Sequence, residues 1–237
     1  MFFMLKISEK CLKYFKGYCS SAEVIMLFVY MKFRFSLSYR DLEEMSSIRG
    51  ALIDHSTLQR WVTKFSFLID KLVRKRKKPT NGSWRVDETY VKIMGEWSYL
   101  YRAVDSNGNT VDFLLRKERN KSAARAFLKK SLKSNGRPKK VVIDGSATNK
   151  SALEELNKNV PEDQKIVIRQ NKYLNNIVEQ DHRFIKKRTK PMLGFKSFDS
   201  AHKTISGIEN IRIIQKGQIL GQQKSFNAFS NFCNLIA

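Results

Sequence analysis

After residue 82 the apolar residues stop recurring every three or four positions and begin to alternate, and this change of period restricts the fold more than any other feature of the chain. Trp84 to Met94 reads as one strand. Gly95 turns it into a second from Trp97 to Asp105, and the Asn-Gly pair in SNGN turns that into a third from Thr110 to Arg116. A helix is expected from about Lys121 to Ser134, stopped by Gly136 and Pro138. Val141, Val142 and Ile143 then form the continuous apolar run of a central parallel strand, which Asp144 ends and Gly145 leaves. A helix near 149–158, a fifth strand near 166–169 and a last helix near 175–188 complete the order.

Strand, strand, strand, helix, strand, helix, strand, helix is the order of an α/β, RNase-H-like domain of the retroviral-integrase type. In such a mixed sheet with flanking helices the first and fourth strands lie side by side. Asp87, within the first strand, and Asp144, at the end of the fourth, then become neighbours. Glu179 approaches from the last helix, sharing one side with His182, Arg183 and Lys186 while Ile177, Val178, Phe184 and Ile185 take the other. Three carboxylates so placed can hold two divalent cations about 3.5–4 Å apart, the arrangement used in phosphodiester chemistry. Oxygen ligands beside a phosphate favour Mg2+ or Mn2+. The helix alone also admits a plainer reading, a solvated face with Glu179 paired to Arg183 or capping the turn after Asn176.

Other acids have local explanations. Glu88 points to the face opposite Asp87. Asp105 and Asp112 flank the Asn-Gly turn. Asp181 falls on the apolar side of its helix and needs a buried partner, an Arg or a backbone amide.

Residues 1–20 carry no clear period, whereas 22–34 are apolar enough for a buried helix. Ser38 with Asp41 three residues on caps a short helix ending near Ser46 or Ser47. Asp54 or Ser56 caps a third, whose inner face is Leu58, Trp61, Val62, Phe65 and Leu68. Such a trio fits either a helix-turn-helix, with Thr57, Gln59, Arg60, Thr63 and Lys64 facing a DNA groove, or an ordinary three-helix cap. The division expected is a helix-turn-helix domain over 1–70, a basic linker over 71–82, a catalytic domain over 83–195 and a helical extension over 196–237. In that extension Phe226, Phe229, Phe232 and Leu235 recur at every third position, either as an oligomer surface or as cover for the catalytic core.

Lys and Arg outnumber Asp and Glu by 45 to 22, a net charge of +23, so a polyanion is the first partner to expect and a membrane surface the weaker one. Cys11, Cys19 and Cys233 have no metal-ligand spacing and read as reduced thiols. The apolar stretches MFFML and Val24 to Met31 fall short of signal-peptide or membrane-spanning length, which places the chain in the cytoplasm.

Three segments together, WRVDETY, VVIDGSATNK and KYLNNIVEQDHRFIKKR, resemble the acidic triad of DDE transposases encoded by bacterial insertion sequences, with Lys186 seven positions after Glu179. LSYRDLEEM and DHSTLQRWV resemble the helix-turn-helix of the insertion-sequence-six family, and KYLNN, with Asn175 four residues before Glu179, is similar to that branch rather than to the wider superfamily. The resemblance implies a metal-dependent polynucleotidyl transferase in which Asp87, Asp144 and Glu179 hold two Mg2+ or Mn2+ ions. It implies that Lys186, Arg183 and His182 position phosphates and that Gln59, Arg60 and their neighbours bind double-stranded DNA at terminal inverted repeats. Water would release a 3′-hydroxyl at an element end, and that hydroxyl would attack target DNA, usually giving a cointegrate by replicative transposition. A homodimer or larger homo-oligomer near the bacterial nucleoid is expected, since two ends are handled together. Two alternatives remain open, an RNase-H-like nuclease that cuts without joining and a catalytically silent DNA-binding protein.

Overall fold

The computed structural model describes residues 5–171, 176–192, 194–222 and 228–237, and the chain separates into two units, Pro79–Lys196 and a helical unit in which the chain up to Lys78 is joined by the chain from Ser197.

In Pro79–Lys196 the alternating segments form the expected hairpins. Strand β1 (Ser83–Ile93) turns into β2 (Glu96–Asp105) through Met94 and Gly95, both with positive φ, as a two-residue hairpin loop requires. The turn from β2 into β3 (Thr110–Arg116) is held by Asp105, whose carboxylate accepts the backbone N–H groups of Asn107 and Asn109 at 2.9 Å. Asp112 is buried and accepts from Lys130 Nζ at 2.7 Å, so both acids near this turn are occupied locally. Helix α5 (Lys121–Asn135), with Asn120 as its cap, crosses over to β4 (Lys140–Ile143). Helix α6 (Ala147–Asn157) leads to β5 (Val167–Gln170).

The sheet order is β3-β2-β1-β4-β5, with β1 parallel to β4 and β4 parallel to β5. One face packs Trp84, Val86, Tyr101 and Ala103 against Ala124, Phe127 and Leu128 of α5 and Ala152 and Leu153 of α6. Each large side chain removed from water there contributes about 1.5–3 kcal/mol. Against the other face lies α7 (Asn176–Thr189), packed on β1 and β2.

The helical unit contains α1 (Glu9–Leu12), α2 (Ala22–Arg34), α3 (Tyr39–Ile48) and α4 (His55–Arg76). Ser38 and Asp41 form a reciprocal capping box on α3, and Asp54 caps α4. Leu58, Trp61, Val62, Phe65 and Leu68 are all buried, as the spacing predicts, and so are Cys11 and Phe15 in the segment with no clear period.

Two expectations are revised. Helix α4 continues to Arg76, so most of the basic run is helical, because Leu72 and Val73 extend its apolar stripe while the lysines and arginines occupy the other side. The end of this helix and the residues just beyond it are tied down rather than loose. Lys78 N–H donates to Gln218 O at 2.7 Å, Leu220 N–H to Arg76 O at 2.8 Å, and Arg76 reaches the Asn234 and Leu235 carbonyls at 3.2 Å.

The carboxyl-terminal helices α8 (Phe198–Gln215) and α9 (Ala228–Ile236) likewise join the amino-terminal ones instead of standing apart. Phe229 and Phe232 pack on Tyr30, each with ring centroids 5.0 Å away, and Leu235 is buried. These residues therefore pack within the helical unit. Phe226 lies outside the described residues.

Helix α8 crosses α2 at Gly207, where an added Cβ would stand 2.2–2.5 Å from three ring atoms of Phe33, itself fully buried. Gly207→Ala is expected to destabilise the helical unit by about 1–3 kcal/mol or more, since an overpacked core yields only by moving helices or rotamers. Adding Phe33→Leu should recover part of the loss in urea unfolding. A Gly207→Ala protein as stable as the parent would show that the crossing is not this tight.

Candidate active site

Strand β4 ends opposite β1, with Val86 paired to Ile143. The next residue on each strand is an acid, Asp87 on β1 and Asp144 just past β4, so continued parallel register makes them neighbours across strands spaced about 4.8 Å apart. Asp144 is half-buried and accepts Ser146 N–H at 3.0 Å, which holds the chain in its turn toward α6. Asp87 accepts Glu88 N–H at 2.9 Å.

Glu179 lies exposed in the first turns of α7, close enough to Asp87 for its charge to act there. Burial pushes the Asp87 carboxyl up to about 7, and the negative charges of Glu88, Asp144 and Glu179 push it the same way. Among the described residues the three carboxylates do not all lie within 4.8 Å of one another.

The like-charge cluster is the test of whether a metal fits. Its donors are carboxylate oxygens, and a buried acid pushed toward its neutral form by other acids is an environment that a divalent cation would relieve. The residues present fit a divalent cation. Glu43, Asp54 and His55 do bring ligand atoms within 4.8 Å, but at an exposed turn where Asp54 caps α4 and His55 meets Glu43 at 3.1 Å.

Helix α7 is pinned by an ion pair. Arg102, wholly buried on β2 and directly opposite Asp87 in register, donates to Asp181 at 2.8 Å. This is the buried partner Asp181 required. A lone arginine within the otherwise apolar YLYRAV is the signal for it in the sequence.

His182 is placed differently from the helical-wheel reading. It is buried, with Nδ1 3.7 Å from Asp87 Oδ2, because it stands four residues after Val178 and three before Ile185, on the stripe that faces the sheet. Burial, then the positive charges of Arg102 and Lys186, hold its pKa down to about 3. The imidazole is therefore uncharged at neutral pH, and the approach to Asp87 is not an ion pair. His182 thus stands on the sheet side of α7 and not with the exposed Arg183 and Lys186.

Glu88 does point to the opposite face of β1, where Arg119 Nε donates to one oxygen and Asn149 Nδ2 to the other at 3.0 Å. In the helical unit Gln59, Arg60 and Lys64 are exposed, while Thr57 and Thr63 are half-buried. Arg60 donates to Thr57 Oγ1 at 2.9 Å, and Lys64 Nζ lies 4.7 Å from the Tyr18 ring centroid. Asn175 lies outside the described residues.

The Asp87 shift has a measurable consequence. Between about pH 4 and 7 the folded chain keeps a proton that the unfolded chain has lost, so this group lowers stability as pH rises through that window. His182 acts oppositely between about 3 and 6.5, because there the unfolded chain holds the extra proton. In EDTA, the Tm of Asp87→Asn minus that of the parent is therefore expected to increase from pH 4 to 7. A difference that stays flat would show that Asp87 titrates normally.

The strand order and the acid-lined end of β1 and β4 define an RNase-H-like domain of the polynucleotidyl-transferase class. Comparison with known proteins makes the assignment specific. Residues 81–218 match the DDE domain family of IS240-type transposases. Over 207 residues the chain is 39% identical to the transposase for the insertion sequence-like element IS431mec of Staphylococcus aureus, covering 86% of this chain and 90% of the relative. The transposase for insertion sequence element IS257 in transposon Tn4003, also of Staphylococcus aureus, matches to the same extent. Among solved structures, the HTLV-2 integrase catalytic core in complex with magnesium (dimeric form) aligns with TM-score 0.43 and 15% identity over 62% of this chain and 94% of that one. The catalytic core of BIV integrase gives 0.40 and 13% over 65% and 95%.

The chain belongs to the DDE transposases of insertion sequences, within the insertion-sequence-six family, and these are metal-dependent polynucleotidyl transferases.

Proposed function

We propose that this transposase cleaves phosphodiesters at the ends of its own insertion sequence and joins the freed 3′-hydroxyls to target DNA, replicatively and with cointegrate formation. What supports the reading is the parallel register of β1 and β4 up to Val86 and Ile143, the residues just before Asp87 and Asp144, together with the charges of Asp144 and Glu179 that act on Asp87. Two Mg2+ or Mn2+ ions held by these acids would activate the attacking oxygen and stabilise the leaving one. The chain's own residues supply the rest. Arg102 and Asp181 hold α7, and with it Glu179, against the sheet. Neutral His182 fills the space behind Asp87 without cancelling its charge. Arg183 and Lys186, exposed on α7, grip the phosphates of the strand being cut.

Helices α2, α3 and α4 serve as the helix-turn-helix that binds the terminal inverted repeats. Gln59, Arg60 and Lys64 offer exposed polar groups for a groove, and Thr57 and Thr63 lie beside them. The net charge of +23 suits a double-stranded DNA partner, and two ends held together call for a homodimer or larger homo-oligomer. Among the described residues no helix is long and apolar enough to cross a membrane.

The test is a labelled oligonucleotide carrying the element's end, incubated with protein, Mg2+ and a plasmid target. Joined products are expected. Nicked products alone would favour the nuclease reading, and sequence-specific binding with no metal-dependent chemistry would leave a DNA-binding regulator.

A further inference from the structure

We propose that a cavity beside the β1–β2 hairpin binds an unpaired base of the DNA strand whose backbone lies at the acids; this deepens, and rests on, the polynucleotidyl-transfer reading. Because β4 stops opposite Val86, β1 runs on from Asp87 to Ile93 past its neighbour. The chain after α7 returns to this bare edge only at Phe195, which bridges Ile93, accepts Met94 N–H at 2.7 Å and donates to Lys92 O at 3.1 Å. Between edge, helix and returning chain lies a cavity of about 760 Å³, lined among others by Tyr90, Lys92, Trp97, Lys186, Lys190 and Phe195.

Its chemistry is that of a stacking platform for a polyanion. Trp97 is 59% and Tyr90 49% exposed, and their rings meet edge to face at 5.9 Å. Three lysines surround them, and among the described residues none that lines the cavity is acidic. Exposed aromatic faces amid lysines suit bases joined by phosphates. A duplex hides the faces of its bases inside the stack, so only an unpaired base can present one.

The position selects which base. Val91, on the cavity wall, is four residues along β1 from Asp87, about 13 Å at 3.3 Å per residue. That is the length of roughly four stacked nucleotides. Tyr90 and Trp97 stand on the Glu88 face of the sheet, so a strand at the acids reaches them round the bare edge of β1, where Lys186, from the same helix as Glu179, also lines the cavity.

The experiment uses the full chain in EDTA, which separates binding from chemistry, and two DNA probes of one sequence. One is a blunt duplex and the other carries a single-stranded tail containing 2-aminopurine. The parent is expected to prefer the tailed probe about tenfold, in line with the worth of one base–aromatic stack, and to quench 2-aminopurine fluorescence. Trp97→Ala should lose most of the preference and the quenching while keeping its affinity for blunt duplex; Trp97→Phe should keep both. Trp97 is exposed, and an unchanged thermal melt would verify that Trp97→Ala still folds.

Unchanged preference and quenching in Trp97→Ala, or equal losses on both probes, would overturn the proposal. So would loss of self-association in Trp97→Ala with the tail preference intact, which would assign the patch to a second copy of the chain. Failure of the transposase reading looks different: no strand joining with Mg2+ in the parent, with the tail preference and its dependence on Trp97 unaffected.

Discussion

Changing Asp87 or Asp144 to Asn, or Glu179 to Gln, is expected to lower Mg2+-dependent strand joining by more than about a hundredfold while leaving binding to the element's end intact. The magnitude is set by comparison with lesser changes. Losing only a partner that orients a metal ligand typically costs 10–100-fold, and these amides would weaken the ligands themselves. Asp144→Asn and Glu179→Gln each preserve shape but remove one of the negative charges that add to burial in pushing Asp87 up to about 7. Asp144→Asn and Glu179→Gln should therefore also lower the Asp87 pKa, and both should be tolerated by the fold, since one side chain is half-buried and the other exposed. A variant that joins DNA at the parent's rate would remove its residue from the site.

Asp181→Ala is expected to cost about 3–5 kcal/mol of stability, the largest single loss predicted for the catalytic unit, because it takes from the wholly buried Arg102 the carboxylate that accepts from it at 2.8 Å. The loss should appear as a lower urea midpoint. It should bring a fall in joining as well, since α7 carries Glu179. Replacing both partners, as Arg102→Met with Asp181→Leu, should restore much of the stability, as buried pairs exchanged for apolar groups often do. If Asp181→Ala costs less than about 1 kcal/mol, other contacts hold the helix and the ion pair is not its anchor.

Much of the catalytic fold was legible because its signals are local. The alternation of apolar residues, the Gly95 and Asn107–Gly108 turns and the Ser38, Asp54 and Asn120 caps act within a few residues, and the elements they announce begin and end close to where they were read. The need of Asp181 for a partner was legible too, since burial of a charge is a local contradiction. The helical wheel groups His182 with Glu179, Arg183 and Lys186, yet it also lies one turn from Val178 and from Ile185, and in the fold it is buried with them. The basic run at 71–76 suggests a linker by its charge, while Leu72 and Val73 carry the stripe of α4 onward.

Sequence alone determined the order of strands and helices, the placement of Asp144 at the end of an apolar run, and a charge balance suited to nucleic acid, since each depends on neighbours along the chain or on a simple sum. Only the tertiary structure decided that Arg102 answers Asp181 across 79 residues, that the carboxyl-terminal helices pack with the amino-terminal ones, and that β1 outruns β4 to leave an aromatic, lysine-rimmed cavity near the acids. Such facts depend on which distant surfaces meet, and no local period or turn signal encodes a pairing between residues so far apart.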